Sequence, residues 1–318
     1  MDSSKPALAI DIGGTKLAAG LVEPGGRLAS WAQTATPGGM DTEQLWRTLE
    51  ALLSRVLAEA RLDQARLAGV GCGCGGPMQW PAGVVSPLNI PAWRDFPLAD
   101  RLAGLFPGMP VRVHNDAIAM AAGEHWRGAG RGRRTMLGMV VSTGVGGGLV
   151  LDGKIVNGAT GNAGHIGHVV VDPGGPPCVC GGRGCLEAVA RGPALAAWAQ
   201  AEGWRPGQSR VTAKELADDA AQGHPVGLAA MRRAGRALGI AIASATHLCD
   251  LQVVAVGGGL AQAGSLLFDP LEEALRRHLG LAYARDVRVV PAALGQAAGL
   301  VGAAALVFAG DRYWTAGK

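Results

Sequence analysis

Ala7-Leu-Ala-Ile-Asp11-Ile-Gly13-Gly14-Thr15-Lys16 runs from an apolar strand into a double-glycine turn, and Leu17 to Val22 then resumes a strand pattern. The turn is therefore the tip of a β-hairpin and not the start of a helix. That excludes a Walker loop, which needs GxxxxGK[ST] followed by a helix. A hairpin tip of this kind still presents backbone N–H groups and, at Thr15, a hydroxyl that can cradle phosphate. Asp11, at the strand end, suits a hydrated Mg2+, which prefers carboxylate and water oxygens; a carboxylate that merely caps the turn is the plainer alternative. The pattern returns at Met136-Leu-Gly-Met-Val-Val-Ser142-Thr143-Gly144-Val-Gly146-Gly147-Gly148-Leu-Val-Leu151, again a strand, a hydroxyl-and-glycine tip and a strand. Two such tips, one in each half, can close on a polyphosphate from opposite sides of a cleft.

Between the two tips the chain alternates strands and helices. A third strand near Leu28 to Thr36 leads past Pro37-Gly-Gly to a helix whose apolar residues Leu45, Leu49, Leu52, Leu53 and Val56 recur at helical spacing. Leu67 to Pro77 reads as a buried strand ending in glycines; Cys72 and Cys74 lie on one side of it, where small packing residues are expected more than metal ligands. Gly83 to Trp93 is a strand entering a proline-rich loop, and Asn89 there offers the paired donor and acceptor that read sugar hydroxyls. Leu98 to Leu105 looks helical, and Pro107 to Pro110 marks a boundary. Val111 to Asp116 is a short strand with Asn115-Asp116 at its carboxyl end, followed by a helix to about Trp126. Ligands of open α/β sheets sit outside the carboxyl ends of strands. Asp116 could there accept the proton of an attacking hydroxyl or simply cap the helix; local sequence does not choose between the two.

Farther on, Gly161 to Glu187 carries Gly164-His165-Ile-Gly-His168 and then Cys178-Val-Cys180-Gly-Gly-Arg-Gly-Cys185-Leu-Glu187. Thiolates and imidazole are the ligands of a closed tetrahedral Cys3His zinc site. Gly181, Gly182 and Gly184 allow the tight fold that brings three sulfurs together. Helices are expected near Pro193 to Glu202, Thr212 to Gln222 and Val226 to Leu248. Leu251 to Val256 is a buried strand, Gly257-Gly258-Gly259 would let a nucleobase or ribose approach the backbone, and a helix should follow. A strand at Val287 to Pro291 and an apolar helix from Gln296 to about Phe308 complete the chain.

Composition bounds the function classes. The 318 residues are 48% hydrophobic with a formal charge of +4, enough chain for two domains and a large core. The basic residues are scattered except for Arg127 to Arg134, which reads as a solvated loop, so no nucleic-acid surface is expected. The most apolar stretches, Ala237 to Ala245 and Ala297 to Ala309, are too short to span a bilayer. Met1 to Pro6 lacks the basic and apolar regions of a secretory signal. Six cysteines, three of them in metal-ligand spacing, fit a reducing compartment. Together these point to a cytoplasmic protein without a membrane partner.

The full set of motifs resembles the ROK family of repressors, open reading frames and sugar kinases, over essentially the whole chain. The matching pieces are Asp11 to Lys16, Asn115-Asp116, Ser142 to Gly148, Gly164 to His168, the CxCGxxGCxE run from Cys178 to Glu187, and Gly257 to Gly259. The resemblance implies an actin-like ATPase (ribonuclease H-like) fold of two α/β domains around a central cleft where sugar and ATP meet. The smaller domain would be residues 1–113, completed by the C-terminal helix at about 296–318, and the larger one 114–295. By the same resemblance Asp116 would be the base that deprotonates the sugar 6-hydroxyl, and Asn89, Asn115, His165, His168 and Glu187 would join it around the sugar. His168, Cys178, Cys180 and Cys185 would hold a structural zinc, with His168 linking metal and sugar. Asp11, Gly13, Gly14, Thr15, Lys16, Thr143 and Gly144 would take the phosphates and Mg2+ of ATP, and Gly258 and Gly259 the adenosine. A homodimer is implied as well.

One position departs from the family's common pattern. Most glucose-directed members carry glutamate in ExGH, and here that place is His165. Imidazole is bulkier, donates as well as accepts, and titrates near neutrality. The His-Ile-Gly-His form and the opening Leu8 to Ala19 are similar to bacterial N-acetylmannosamine kinases, so an N-acylhexosamine is expected, with glucose (phosphorylated from ATP or polyphosphate) as the alternative. Regulators of the same family carry an added helix-turn-helix ahead of the core. With the first strand starting by Ala7, none is expected here. A silent binding protein would require loss of the base, and Asp116 is present.

Overall fold

The computed structural model describes residues 5–36, 38–39, 41–206 and 211–314. Pro37 and residues 315–318, the end of the expected closing helix, lie outside the described residues. The chain forms two compact units: one takes the residues up to Gly132, 148–164 and from Ala293 onward, the other 133–147 and 165–292.

The first unit opens with the antiparallel strands β1 (Ala7–Ile12), β2 (Lys16–Val22) and β3 (Leu28–Ala35), followed by helix α1 (Thr42–Glu59). Asp41 starts α1 through a capping box with Gln44. Strand β4 (Gly69–Cys74) returns parallel to β1; a small meander follows, β5 (Met78–Gln79), β6 (Val84–Val85) and β7 (Phe96–Pro97). Helix α2 (Leu98–Leu105), strand β8 (Val111–Asn115) and helix α3 (Asp116–Arg127) complete this stretch, giving a sheet of order β3-β2-β1-β4-β8. That order, with β1, β4 and β8 parallel, is the ribonuclease H-like sheet of actin-like ATPases.

The second unit is built on β9 (Met136–Val141) and the start of β10 (Val145–Leu151); β10 and the short β11 (Lys154–Ile155) carry the chain back into the first. Helices α4 (Leu186–Ala190), α5 (Gly192–Ala201), α6 (Ala213–Ala221) and α7 (Pro225–Cys249) precede β12 (Val253–Gly257). Helix α8 (Ser265–His278) and strand β13 (Arg288–Pro291) end the unit, and β9, β12 and β13 run parallel. No helix follows the triple glycine directly: a 3-10 turn spans Gly259–Ala263, and α8 begins only after Gly264, whose positive φ of 58° interrupts the run. The helix expected after the glycines is α8, displaced by this turn, with Leu267, Leu271, Ala274 and Leu275 lining its buried face.

The last helix, α9 (Ala298–Phe308), rejoins the first unit and is buried almost all round. Alternation along β1 separates the two faces of its sheet. Leu8, Ile10 and Ile12 join the α1 side chains in one core, while Ala7 and Ala9 face Leu300, Ala303, Ala304 and Val307 of α9. Small residues on that face let α9 come close: a Cβ on Gly71 would lie 2.6 Å from the Ala303 carbonyl carbon. The same holds where α3 crosses α9, since a Cβ on Gly123 would stand 2.9 Å from the Gly302 Cα. This packing draws α3 into the first unit, whereas the sequence boundary was set after residue 113. No described helix is long and apolar enough to cross a membrane.

Candidate active site

In the first unit the β1–β2 tip closes with Gly13 N–H donating to the Lys16 carbonyl (3.0 Å), and Thr36 Oγ donates to the Gly13 carbonyl (2.6 Å). Thr15 is exposed at the tip, and Lys16 Nζ reaches Gln296 Oε1 (3.4 Å). Asn89 is lodged between two glycine turns: a Cβ on Gly14 would lie 2.8 Å from its Cβ, and one on Gly75 3.0 Å from its Oδ1. The loop carrying Asn89 thus sits directly on the phosphate-type hairpin. Asp11 lies beside these groups with Gly299 of α9 against its carboxylate, so close that a Cβ there would come within 2.6 Å of Cγ. Burial, then the charge of Asp116, raise Asp11 to about 6, and Lys16 opposes the shift. A cation at Asp11 would relieve both causes.

The cap of α3 is not Asp116. Asn115 is the N-cap of α3, its Oδ1 accepting from Ala117 (3.0 Å) and Ile118 (3.3 Å), so Asp116 is not needed for that role. Asp116 Oδ1 accepts from Ala117 N–H (2.8 Å), leaving Oδ2 available. Burial raises its pKa, partly offset by the backbone hydrogen bonds. A carboxylate whose affinity for protons is raised toward working pH is a better general base. The neighbouring His114 is fully buried and held neutral, its pKa lowered to about 4 by burial against a hydrogen bond to Asn157 (2.8 Å). Its Nδ1 accepts the Asn115 N–H (2.8 Å), fixing the end of β8 from which Asp116 springs.

In the second unit the β9–β10 tip closes by a Ser142 N–H to Gly144 carbonyl bond (2.8 Å). Glu187, expected at the sugar, holds this tip: its Oε2 accepts from Val145 N–H (2.9 Å) and fills the space a Cβ on Gly144 would need. The rings of His165 and His168 stack 6.1 Å apart, and His165 Nε2 is buried with no hydrogen-bond partner. Burial first, then the neighbouring His168, lower the His165 pKa, so the ring is neutral and has an unspent polar atom. Gly258 has a φ of +90°, and a Cβ there would come within 2.7 Å of the Val141 backbone. The nearest would-be contact of Gly259 is Ser142 Oγ at 4.0 Å.

His168, Cys178, Cys180 and Cys185 offer four ligand atoms all within 4.8 Å of one another. Cys180 and Cys185 sulfurs are 3.7 Å apart, and Cys178 Sγ is 3.8 Å from His168 Nδ1. Ligand atoms around a tetrahedral ion with metal–sulfur bonds of about 2.3 Å stand roughly 3.5–3.8 Å apart, so the donor set and its spacing fit zinc. The loop is held tight by Gly184 (φ +68°), where a Cβ would press on the Asp172 backbone. Cys72 and Cys74, in contrast, are wholly buried in the first unit's core, as packing residues.

Four contributors escaped sequence reading: His114, Asn157, Gln296 and Gly299. Only Gly299, a glycine inside an apolar helix, carried a local signal. The others matter through partners 43 to 280 residues away in the chain.

The ROK family model matches residues 7–309. Among characterised proteins, a glucokinase of Thermotoga maritima is 34% identical over 313 residues, covering 94% of this chain and 96% of that one. An N-acetylmannosamine kinase of Salmonella typhimurium is 35% identical over 294 residues, covering 90% and 97%. Among solved structures, a ROK family glucokinase from Streptomyces griseus, in complex with glucose and AMPPNP, superposes with a TM-score of 0.82 at 34% identity, covering 95% of this chain and 98% of that one.

Proposed function

Because this chain belongs to the ROK family and is a sugar kinase that uses ATP, we propose that it phosphorylates the 6-hydroxyl of an N-acylhexosamine, N-acetylmannosamine first. The observation that carries the choice of sugar is His165. A neutral imidazole with a buried, unpartnered Nε2 stands where glucose-directed members place a carboxylate. An orphaned polar atom is costly until a ligand meets it, and the ring lacks the charge that would accept two hydroxyls. The relationship to N-acetylmannosamine kinases supports the same choice, and the glucokinase relatives make glucose the second reading.

Asp116 Oδ2 takes the proton of the 6-hydroxyl as that oxygen attacks the γ-phosphorus, and Asn89 and Asn115 Nδ2 orient the ring. Thr15, Lys16 and the N–H groups of Gly13 and Gly14 bind phosphate oxygens, with Thr143 and Gly144 doing so from the second unit. Mg2+, when bound with ATP, neutralises the charge that builds on the transferring group, and Asp11, raised to about 6 by burial and then by Asp116, is the residue to hold it. Zinc, held by His168, Cys178, Cys180 and Cys185, takes no part in the transfer. His168, whose Nδ1 lies 3.8 Å from Cys178 Sγ, would link the metal loop to the sugar. The reading also includes a homodimer, on the family resemblance. The test is Asp116→Asn: turnover should fall by about 10²–10⁴ with the sugar dissociation constant changed less than threefold. Retained turnover would remove Asp116 as the base.

A further inference from the structure

The second unit holds a cavity of about 390 Å3 whose lining no step of phosphoryl transfer uses. It lies among the cysteine loop, α4, α5 and α7, with Arg191, Trp198 and Arg233 on one side and Pro177, Val179 and Val189 on the other. Arg233 lays its guanidinium over the Trp198 ring at 5.4 Å. The Nε atoms of both Arg191 and Arg233 are buried, and neither has a hydrogen-bond partner. Two orphaned guanidinium donors in one cavity are unusual, because each costs the desolvation of a charged donor without return. Glu187 also borders the cavity, but its Oε2 is committed to the Val145 N–H on the hairpin side. Among the described residues no carboxylate is paired with either guanidinium.

We propose that this cavity is a second ligand site, for a small organic anion whose phosphate or carboxylate bridges Arg191 and Arg233 and whose body lies against Trp198. Guanidinium forks match the planar or tetrahedral oxygens of such groups and bind them through paired charge-assisted hydrogen bonds. The apolar wall of Pro177, Val179 and Val189 suits a ring or short chain better than a bare ion. Cys178 and Glu187 border the same space, so occupancy reaches both the metal loop and the tip of the β9–β10 hairpin. The ligand is therefore a modulator of the kinase, read as a change in the sugar KM.

Calorimetric titration of the full-length, zinc-loaded protein with benzoate, phenyl phosphate and inorganic phosphate tests this. We expect saturable binding at about one ligand per chain that persists when sugar and a non-hydrolysable ATP analogue are saturating, with sugar shifting its affinity in the same sense as the ligand shifts the sugar KM. The two aromatic probes separate carboxylate from phosphate, and inorganic phosphate should bind more weakly than phenyl phosphate because it leaves Trp198 uncovered. Arg233→Met and Arg191→Met should each weaken the preferred probe at least tenfold, about 1.4 kcal/mol, and Arg233→Lys should recover part of the loss. Thermal unfolding and zinc content matching the wild type identify variants that fold. No saturation below about 20 mM, equal affinity in folded Arg variants, or displacement by the ATP analogue would each overturn the proposal. So would a wild-type dimer that binds no anion and falls to monomers in the Arg variants, since a second copy would then be satisfying the guanidinium groups.

Discussion

Asp11 makes the ligand-free protein pay a pH-dependent cost that can be measured. Its carboxyl titrates at about 6 in the fold against 3.8 as a free group, a difference caused first by burial and then by Asp116. A raised pKa means that the folded state holds the proton more tightly, so the contribution is stabilising at low pH and is lost as pH rises through 6. At 1.36 kcal/mol per unit, the loss at pH 7 amounts to about 3 kcal/mol, most of it between pH 4 and 6. Asp11→Asn cannot ionise. Its stability relative to wild type should therefore improve by about 2.4 kcal/mol between pH 4 and pH 7, whatever its offset at pH 4. Urea denaturation at several pH values, with the wild-type and variant curves subtracted, isolates this group from other titrations. Mg2+ with ATP should erase the difference by supplying the missing counter-charge. A stability difference that is flat with pH would refute the buried, uncompensated carboxylate and with it the argument that Asp11 awaits a cation.

Other outcomes follow from the same contacts. Gly14→Ala places a methyl 2.8 Å from Asn89 Cβ; the Asn89 loop must shift, and sugar KM should rise by about tenfold with a stability loss of roughly 1–3 kcal/mol, read by steady-state kinetics and denaturation. Removing zinc with a strong chelator, or Cys180→Ser, should release about one metal ion per chain and raise the sugar KM far more than the ATP KM. Metal analysis that finds no zinc in the purified protein would refute the metal assignment.

Much of the fold was legible because its signals are local. The hairpin of Ala7 to Val22, the helix face from Leu45 to Val56, and the Asn115-Asp116 strand end each announce themselves within about fifteen residues. The cysteine loop was equally clear, since ligand spacing lies along the chain. What stayed hidden depends on distant partners. The membership of α3 in the first unit rests on a glycine contact between positions 123 and 302. The contact of Glu187 Oε2 with the Val145 N–H, forty-two residues away, was equally hidden. The helix expected after the triple glycine starts only at Ser265, past a 3-10 turn, and Pro270 is tolerated inside it.

The account rests most heavily on His165, and one comparison of rates addresses it. ADP release should be measured for N-acetylmannosamine, N-acetylglucosamine, glucose, mannose and fructose, in the wild type and in His165→Glu. The wild type should favour N-acetylmannosamine over glucose by at least tenfold in kcat/KM, about 1.4 kcal/mol in the transition state, and the glutamate variant should narrow or reverse that ratio. A wild type that prefers glucose tenfold, or a ratio unmoved by His165→Glu, would contradict the assignment of the sugar.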